Sequence, residues 1–139
     1  MLSITKLLSH EIRRRLRAEF DATLPQFDLL SQLYRERDGL RLGELSRRTM
    51  STNGNVTGLV DRLVTDGLIA RENLDGDRRV TIVKLTRRGS EMFAGMAKSH
   101  ENWLRELMGD LDDDTIAQVL EQLGAVKSAI GRRIAQAGD

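Results

Sequence analysis

The stretch DGDRRVTIVKLTRRG, residues 75–89, sets a cluster of charges directly before an alternating apolar run. LIARENL (68–74) lies just ahead of it, and both LIARENL and VTIVKL (80–85) read as short strands. Residues Asp75–Arg79 then become the link of an antiparallel hairpin. A link carrying Asp75, Asp77, Arg78 and Arg79 is either a solvated tip or a finger that meets something anionic. Its surroundings have to decide which.

Outward from the hairpin, the chain reads as helix. Residues 2–20 place Ile4, Leu7, Leu8, Ile12, Leu16 and Phe20 on one stripe. Thr23 and Gln26 form a capping box with Pro25 in the first turn of a second helix, whose apolar face is Phe27, Leu30, Leu33 and Tyr34 and whose stop is Gly39. A short helix follows over 42–48. Ser51 or Thr52 caps the next, over 52–66, with Val56, Leu59, Val60, Leu63 and Val64 inward. After the hairpin, Thr86 caps a helix carrying Met92, Met96, Trp103, Leu104, Leu107 and Leu111. DLDDDT (110–115) opens a last helix with Ile116, Val119, Leu120, Leu123, Val126, Ile130 and Ile134 on its stripe.

This order predicts a mainly α chain with a small β-hairpin, an α+β winged helix-turn-helix with N- and C-terminal dimerisation helices. We expect a single domain over 1–139, divided into a helix-turn-helix and wing lobe over 24–89 and a helical dimerisation region over 1–22 and 90–139. The long stripes at the two ends have no partner within so small a module, which points to a second copy of the chain.

Composition narrows the function. With no Cys, disulfides and thiolate metal sites are excluded. No apolar run is long enough to span a membrane, and the basic cluster Arg13–Arg17 follows the apolar residues, the reverse of a secretory signal. A cytoplasmic protein is expected. His10 and His100 are the only histidines, and there is no H-E-x-x-H, P-loop or nucleophile elbow, so the reading is not an enzyme, with no cofactor and no metal. DLDDDT lacks the spacing and closing Glu of a calcium loop and suits an acidic helix start. Net charge is +1, yet residues 41–89 hold ten Lys/Arg against six Asp/Glu while 100–139 hold four against eight. A basic middle between arms of other character suits an anion-binding module.

In the helix-turn-helix reading, the 52–66 helix enters a major groove of double-stranded DNA. Its outer N-terminal face offers Asn53, Gly54, Asn55, Thr57 and Gly58, with Ser51 and Thr52 at the cap. Asn can pair bidentately with adenine, Thr can meet a thymine methyl, and glycine lets backbone approach closely. Glycines inside a helix each cost about 1 kcal/mol against Ala, so something should require them. The competing reading is a winged helix used for protein–protein contact without DNA, which would favour exposed aromatics or Leu on that face.

MSTNGNVTGLVDRLVTDGLI (50–69), DGDRRVTIVKLTRRG and TLPQFDLLSQL (23–33) resemble the MarR (multiple antibiotic resistance regulator) family of transcription factors. The resemblance runs through nearly the whole chain in the same order. It implies a homodimeric winged helix joined through the first and last two helices, binding a pseudo-palindromic operator and usually repressing transcription. Residue by residue, it implies that Arg79 enters the minor groove, that Asp77 orients it, that Arg62 lies near the DNA backbone and that Arg78 neighbours a phosphate. Two departures stand out: the cysteine of the peroxide-sensing branch is missing, and Gly76 follows Asp75 where relatives carry Pro. The resemblance further implies release of DNA by a small anionic aromatic or related effector, for which His10, Arg14, Phe27, Leu30, Tyr34, Met96 and Trp103 are the candidate liners; the competing reading, which the residue types favour, is that the apolar ones are core and His10 is surface.

Overall fold

The computed structural model describes residues 2–49, 55–74 and 76–138. The elements in order are α1 (Leu2–Phe20), α2 (Leu24–Tyr34), β1 (Leu40–Arg41), α3 (Leu42–Arg48), α4 (Val56–Thr65), β2 (Ile69–Leu74), β3 (Asp77–Leu85), α5 (Arg87–Leu107) and α6 (Asp113–Ala137). They fall into two compact units, residues 1–100 and 101–139.

In the first unit, α2 starts where local chemistry dictates. The Thr23 hydroxyl accepts from the Gln26 backbone N–H, and the Thr23 N–H donates to the Gln26 side chain. Two donors that a helix start leaves unmet are thereby satisfied. The helix ends at Tyr34 rather than at Gly39, the expected stop. Gly39 instead turns the chain into β1, with φ +87° and its Cα close against the Val83 carbonyl of β3. The core is aliphatic: Ile12, Leu16, Leu29, Leu30, Leu33, Leu45, Val56, Val60, Leu63, Ile69 and Val83, joined by Phe93 and Met96 from α5.

The sheet has three strands in the order β1-β3-β2, all antiparallel. The hairpin of β2 and β3 was expected; β1 was not. Leu40 and Arg41 form this short strand by pairing with Val83 and Ile82. The hairpin link is also tighter than the five residues expected. Leu74 pairs with Asp77, so Asp77, Arg78 and Arg79 already belong to β3. The register then jumps to Asn73 opposite Thr81, so β3 carries three residues more than β2 between these two pairs, a pronounced bulge.

The base of the hairpin is closed by Thr86. Its N–H donates to the Leu68 carbonyl (3.0 Å), its hydroxyl donates to the Gly67 carbonyl (2.7 Å), and the same hydroxyl accepts from the Gly89 N–H (3.0 Å). Thr86 is thus the cap of α5 and a tie to the chain leaving α4. Gly89 sits so close to Leu68 that a Cβ there would run into the Leu68 carbonyl oxygen.

In the second unit, α6 opens on Asp112, whose carboxylate accepts from the Thr115 N–H at 2.6 Å. That hydrogen bond holds the Asp112 carboxyl below its ordinary range. Trp103 is buried, whereas α6 buries none of its side chains: Val119, Leu120, Leu123, Val126, Ile130 and Ile134 are all exposed. In the first unit, Ile4 and Leu7 of α1 are likewise exposed. No described helix is long and apolar enough to cross a membrane.

Gly89→Ala should destabilise the fold by about 1–3 kcal/mol, the usual cost of forcing a methyl into packed structure. Gly43→Ala, in α3 with open space around it, should be neutral or slightly stabilising. Urea midpoints at one fixed protein concentration compare the two. Equal midpoints would show that the α5 start does not depend on this approach.

Candidate nucleic-acid interface

Helix α4 buries Val56, Val60 and Leu63, with Leu59 half-buried, and leaves Asn55, Thr57, Gly58, Asp61 and Arg62 exposed. It is shorter than the expected 52–66 helix: the described turns begin at Val56, with Asn55 in the cap position and making no capping bond. The expectations for Ser51, Thr52 and Asn53 fall outside the described residues. Val64, expected inward, is more than a third exposed (37%), since it closes the far edge of the stripe. A Cβ on Gly58 would meet the Asn55 side-chain oxygen, which an exposed, rotatable amide can move aside to avoid.

The wing stands beside this helix. Arg71 of β2 is ion-paired with Asp61 of α4, and Lys84 of β3 with Glu72 of β2 at 2.7 Å. The first pair links the exposed side of α4 to the wing and was not anticipated; an Asp and an Arg ten residues apart carry no local signal. Arg79 is exposed. The backbones of Asp77 and Arg78 lie in β3, while their side chains fall outside the described residues, and so does Asp75. Arg62 is paired with Asp66 at 3.5 Å in the last turn of α4, well away from the end that carries Asn55 and Thr57.

Between α3, α4 and β3 runs an open cleft of about 600 Å³ whose lining includes both Thr57 and Arg79. Two arginines that the sequence reading passed over, Arg41 and Arg47, line the same cleft. On the exposed face of α4 that meets it there is no aromatic and no Leu.

The candidate effector liners do not gather in one cavity. Leu30 and Met96 are core residues. Phe27, Tyr34 and Phe93 form a ring cluster, with centroids 5.5 Å apart for Phe27–Phe93 and 4.9 Å for Tyr34–Phe93; His100 lies 5.0 Å from Phe27. Partial burial there pushes the His100 imidazole below its ordinary pKa. His10 is on an exposed face of α1. Arg14 is taken up by Glu11 at 2.6 Å, and the hydrogen bonds from Arg14 and Arg15 bring the Glu11 carboxyl down to about 2. Trp103 belongs to the second unit. Leu30 does border a cavity of about 440 Å³, together with Phe20, Gln26, Arg62, Arg88 and Met92. Tyr34 borders another of about 410 Å³, with Arg37, Arg87 and Ser90. Among the described residues no His, Cys, Asp and Glu cluster could hold a metal.

Comparison with known proteins agrees with this geometry. The MarR family model matches residues 22–81. A MarR family transcriptional regulator from Silicibacter pomeroyi has a crystal structure that superposes with a TM-score of 0.76 at 31% identity, over 93% of this chain and 88% of that one. The transcriptional activatory protein BadR of Rhodopseudomonas palustris is 29% identical over 104 residues, 73% of this chain and 59% of its own length. The HTH-type transcriptional repressor YetL of Bacillus subtilis is 27% identical over 100 residues, 71% of this chain and 60% of its own. With its helix-turn-helix, its three-stranded wing and these relatives, the chain belongs to the MarR family of winged-helix transcriptional regulators, which are not enzymes.

Proposed function

We propose that this DNA-binding regulator acts in the cytoplasm as a homodimeric repressor, with α4 in the major groove and the β2–β3 wing in the adjacent minor groove of a pseudo-palindromic operator. The observation that carries the reading is the polar, small-residue face of α4, Asn55, Thr57 and Gly58, turned outward beside an exposed Arg79. Asn and Thr read base edges, and an Arg in a narrow minor groove responds to its concentrated negative potential. Asp77 is assigned the role of orienting Arg79, with Arg78 and Arg62 near phosphates and Ser51, Thr52 and Asn53 at the base-facing end of the recognition segment. Repression rests on the family resemblance and on the repressor among the relatives. The activator among them bears on the sign alone, because sign follows from where an operator lies relative to its promoter.

The dimer reading rests on the exposed stripes of α6 and of the first turns of α1. Six large aliphatic side chains of α6 are 45–66% exposed in the single chain, a contiguous apolar face of the kind that marks an interface. Response to a small anionic effector is supported by the cavity beside Leu30. Its volume suits a small molecule, and its lining sets Arg62 and Arg88 beside Asp21 and Asp66, with Arg62 paired to Asp66.

Sedimentation of the purified chain at low micromolar concentration should give a dimer, with Leu123→Glu and Ile130→Glu shifting it to smaller species. A stable folded monomer of the unaltered chain contradicts the reading.

Base readout predicts that Asn55→Ala and Thr57→Ala each weaken binding to a selected operator by about 1–3 kcal/mol and leave random DNA nearly unaffected. Equal losses on both would show that neither residue reads bases.

For the wing, Arg79→Ala should weaken binding across sequences and lower the salt slope by about one unit per subunit. Asp77→Ala should also weaken binding, and should add little on top of Arg79→Ala, because both remove one arrangement. Binding isotherms of the two single variants and the double variant test this; tighter binding by Asp77→Ala would falsify the orienting role.

A further inference from the structure

We propose that the cleft between α3, α4 and β3 seats the sugar-phosphate backbone of DNA, with Arg41 and Arg47 as its phosphate-binding cations. The proposal rests on the major-groove and minor-groove reading above. Adjacent major and minor grooves are separated by one sugar-phosphate strand. A protein that places a helix in one and a wing in the other must therefore straddle that strand, and the strand must pass between the two elements. Here the space between them is an open cleft of about 600 Å³. Thr57 lines its α4 side and Arg79 its β3 side, while Arg41 and Arg47 line it from β1 and α3.

The chemistry of the lining matches a polyanion. Three arginines face one carboxylate, Glu44, and the hydroxyls of Ser46, Thr57 and Thr81 are further donors of the kind that contact phosphate oxygens. Elsewhere on the helices some arginines have a carboxylate one turn away to themselves, as in Arg87–Glu91 and Arg105–Glu101, whereas Arg14 and Arg15 share Glu11. The cleft follows the second pattern. Glu44 is shared between Arg47 at 2.5 Å and Arg48 at 3.0 Å, and no ion pair engages Arg41 among the described residues. The same two arginines hold the Glu44 carboxyl below its ordinary range, so it stays charged and still leaves the group cationic.

Arg41 is also held in place by backbone. It pairs with Ile82 as a residue of β1, and it is the residue from which α3 begins. An arginine fixed by a strand and a helix loses less freedom on binding than one on a loop. Because its backbone is joined to β3, Arg41 keeps its distance from the wing. These contacts carry no sequence information; they set register and orientation while α4 reads bases.

The test is a salt series of binding isotherms for Arg41→Gln and Arg47→Gln beside Arg79→Ala, on a selected operator duplex and on a random duplex. Thermal melting of each variant confirms folding. Each glutamine variant should weaken binding to both duplexes by a similar factor and lower the salt slope by about one unit per subunit. Unchanged slopes for both glutamine variants, with a lowered slope for Arg79→Ala, would overturn the phosphate seat and leave the wing reading standing. Unchanged slopes for all three would remove both. Loss on the operator alone would also overturn it, since the arginines would then be reading bases or shape. If Arg41→Gln fails to fold, Arg41→Lys keeps the charge and should keep the slope; a lowered slope there counts against the proposal.

Discussion

One hydroxyl group holds the DNA-binding half of this molecule to a single geometry. Thr86 Oγ1 donates to the Gly67 carbonyl just past α4 and accepts from the Gly89 N–H at the start of α5, while the Thr86 N–H reaches the Leu68 carbonyl at the foot of β2. Each such bond contributes only about 0.5–1.5 kcal/mol net, but the three converge on one residue. The end of α4, the foot of the hairpin and the start of α5 are therefore tied together. Gly89 completes the arrangement, because only a residue without Cβ lets α5 begin against the Leu68 carbonyl. Helix α4 and the wing share one base, so the distance between them is set far from either tip.

Much of this was legible in the sequence because its causes are local. The Thr23–Gln26 capping box, the span of α3, the Thr86 cap and the aspartates opening α6 all follow from residues within one helical turn. What escaped depends on partners distant in sequence. Strand β1 has no period of its own and exists only because β3 offers it an edge. Gly39 marks that same meeting, although in sequence it looks like an ordinary helix stop. The hairpin link looked five residues long because its charges resemble a loop, whereas the bulge absorbs Arg78–Val80 into β3. For the candidate site, the exposed face of α4 could be read from its periodicity. Arg41 and Arg47 could not, since only the fold brings β1 and α3 to the same cleft as Thr57 and Arg79. Of the candidate effector liners, the apolar residues at helical spacing such as Leu30 and Met96 are core, as their spacing favoured.

The ion pairs show how the surface is tuned. Exposed pairs such as Arg87–Glu91 and Arg105–Glu101 contribute at most about 1 kcal/mol each to stability. Their larger effect is on the electrostatic field, since each removes a cation that would otherwise attract a polyanion indiscriminately. Asp61–Arg71 differs in kind, because it joins the exposed side of α4 to β2 and braces the wing while leaving Arg79 outward.

The small sheet bears on how copies of this chain can meet. Its outer strands are β1, which has 2 residues, and β2, whose register with β3 breaks at Asn73/Leu74 and which carries Arg71 and Glu72. One edge is too short to template another strand, and the other is kinked and charged, devices that protect sheet edges against strand addition. Association by continuing the sheet from molecule to molecule is thereby blocked, and crowded chains are kept from the open-ended stacking that leads to fibres.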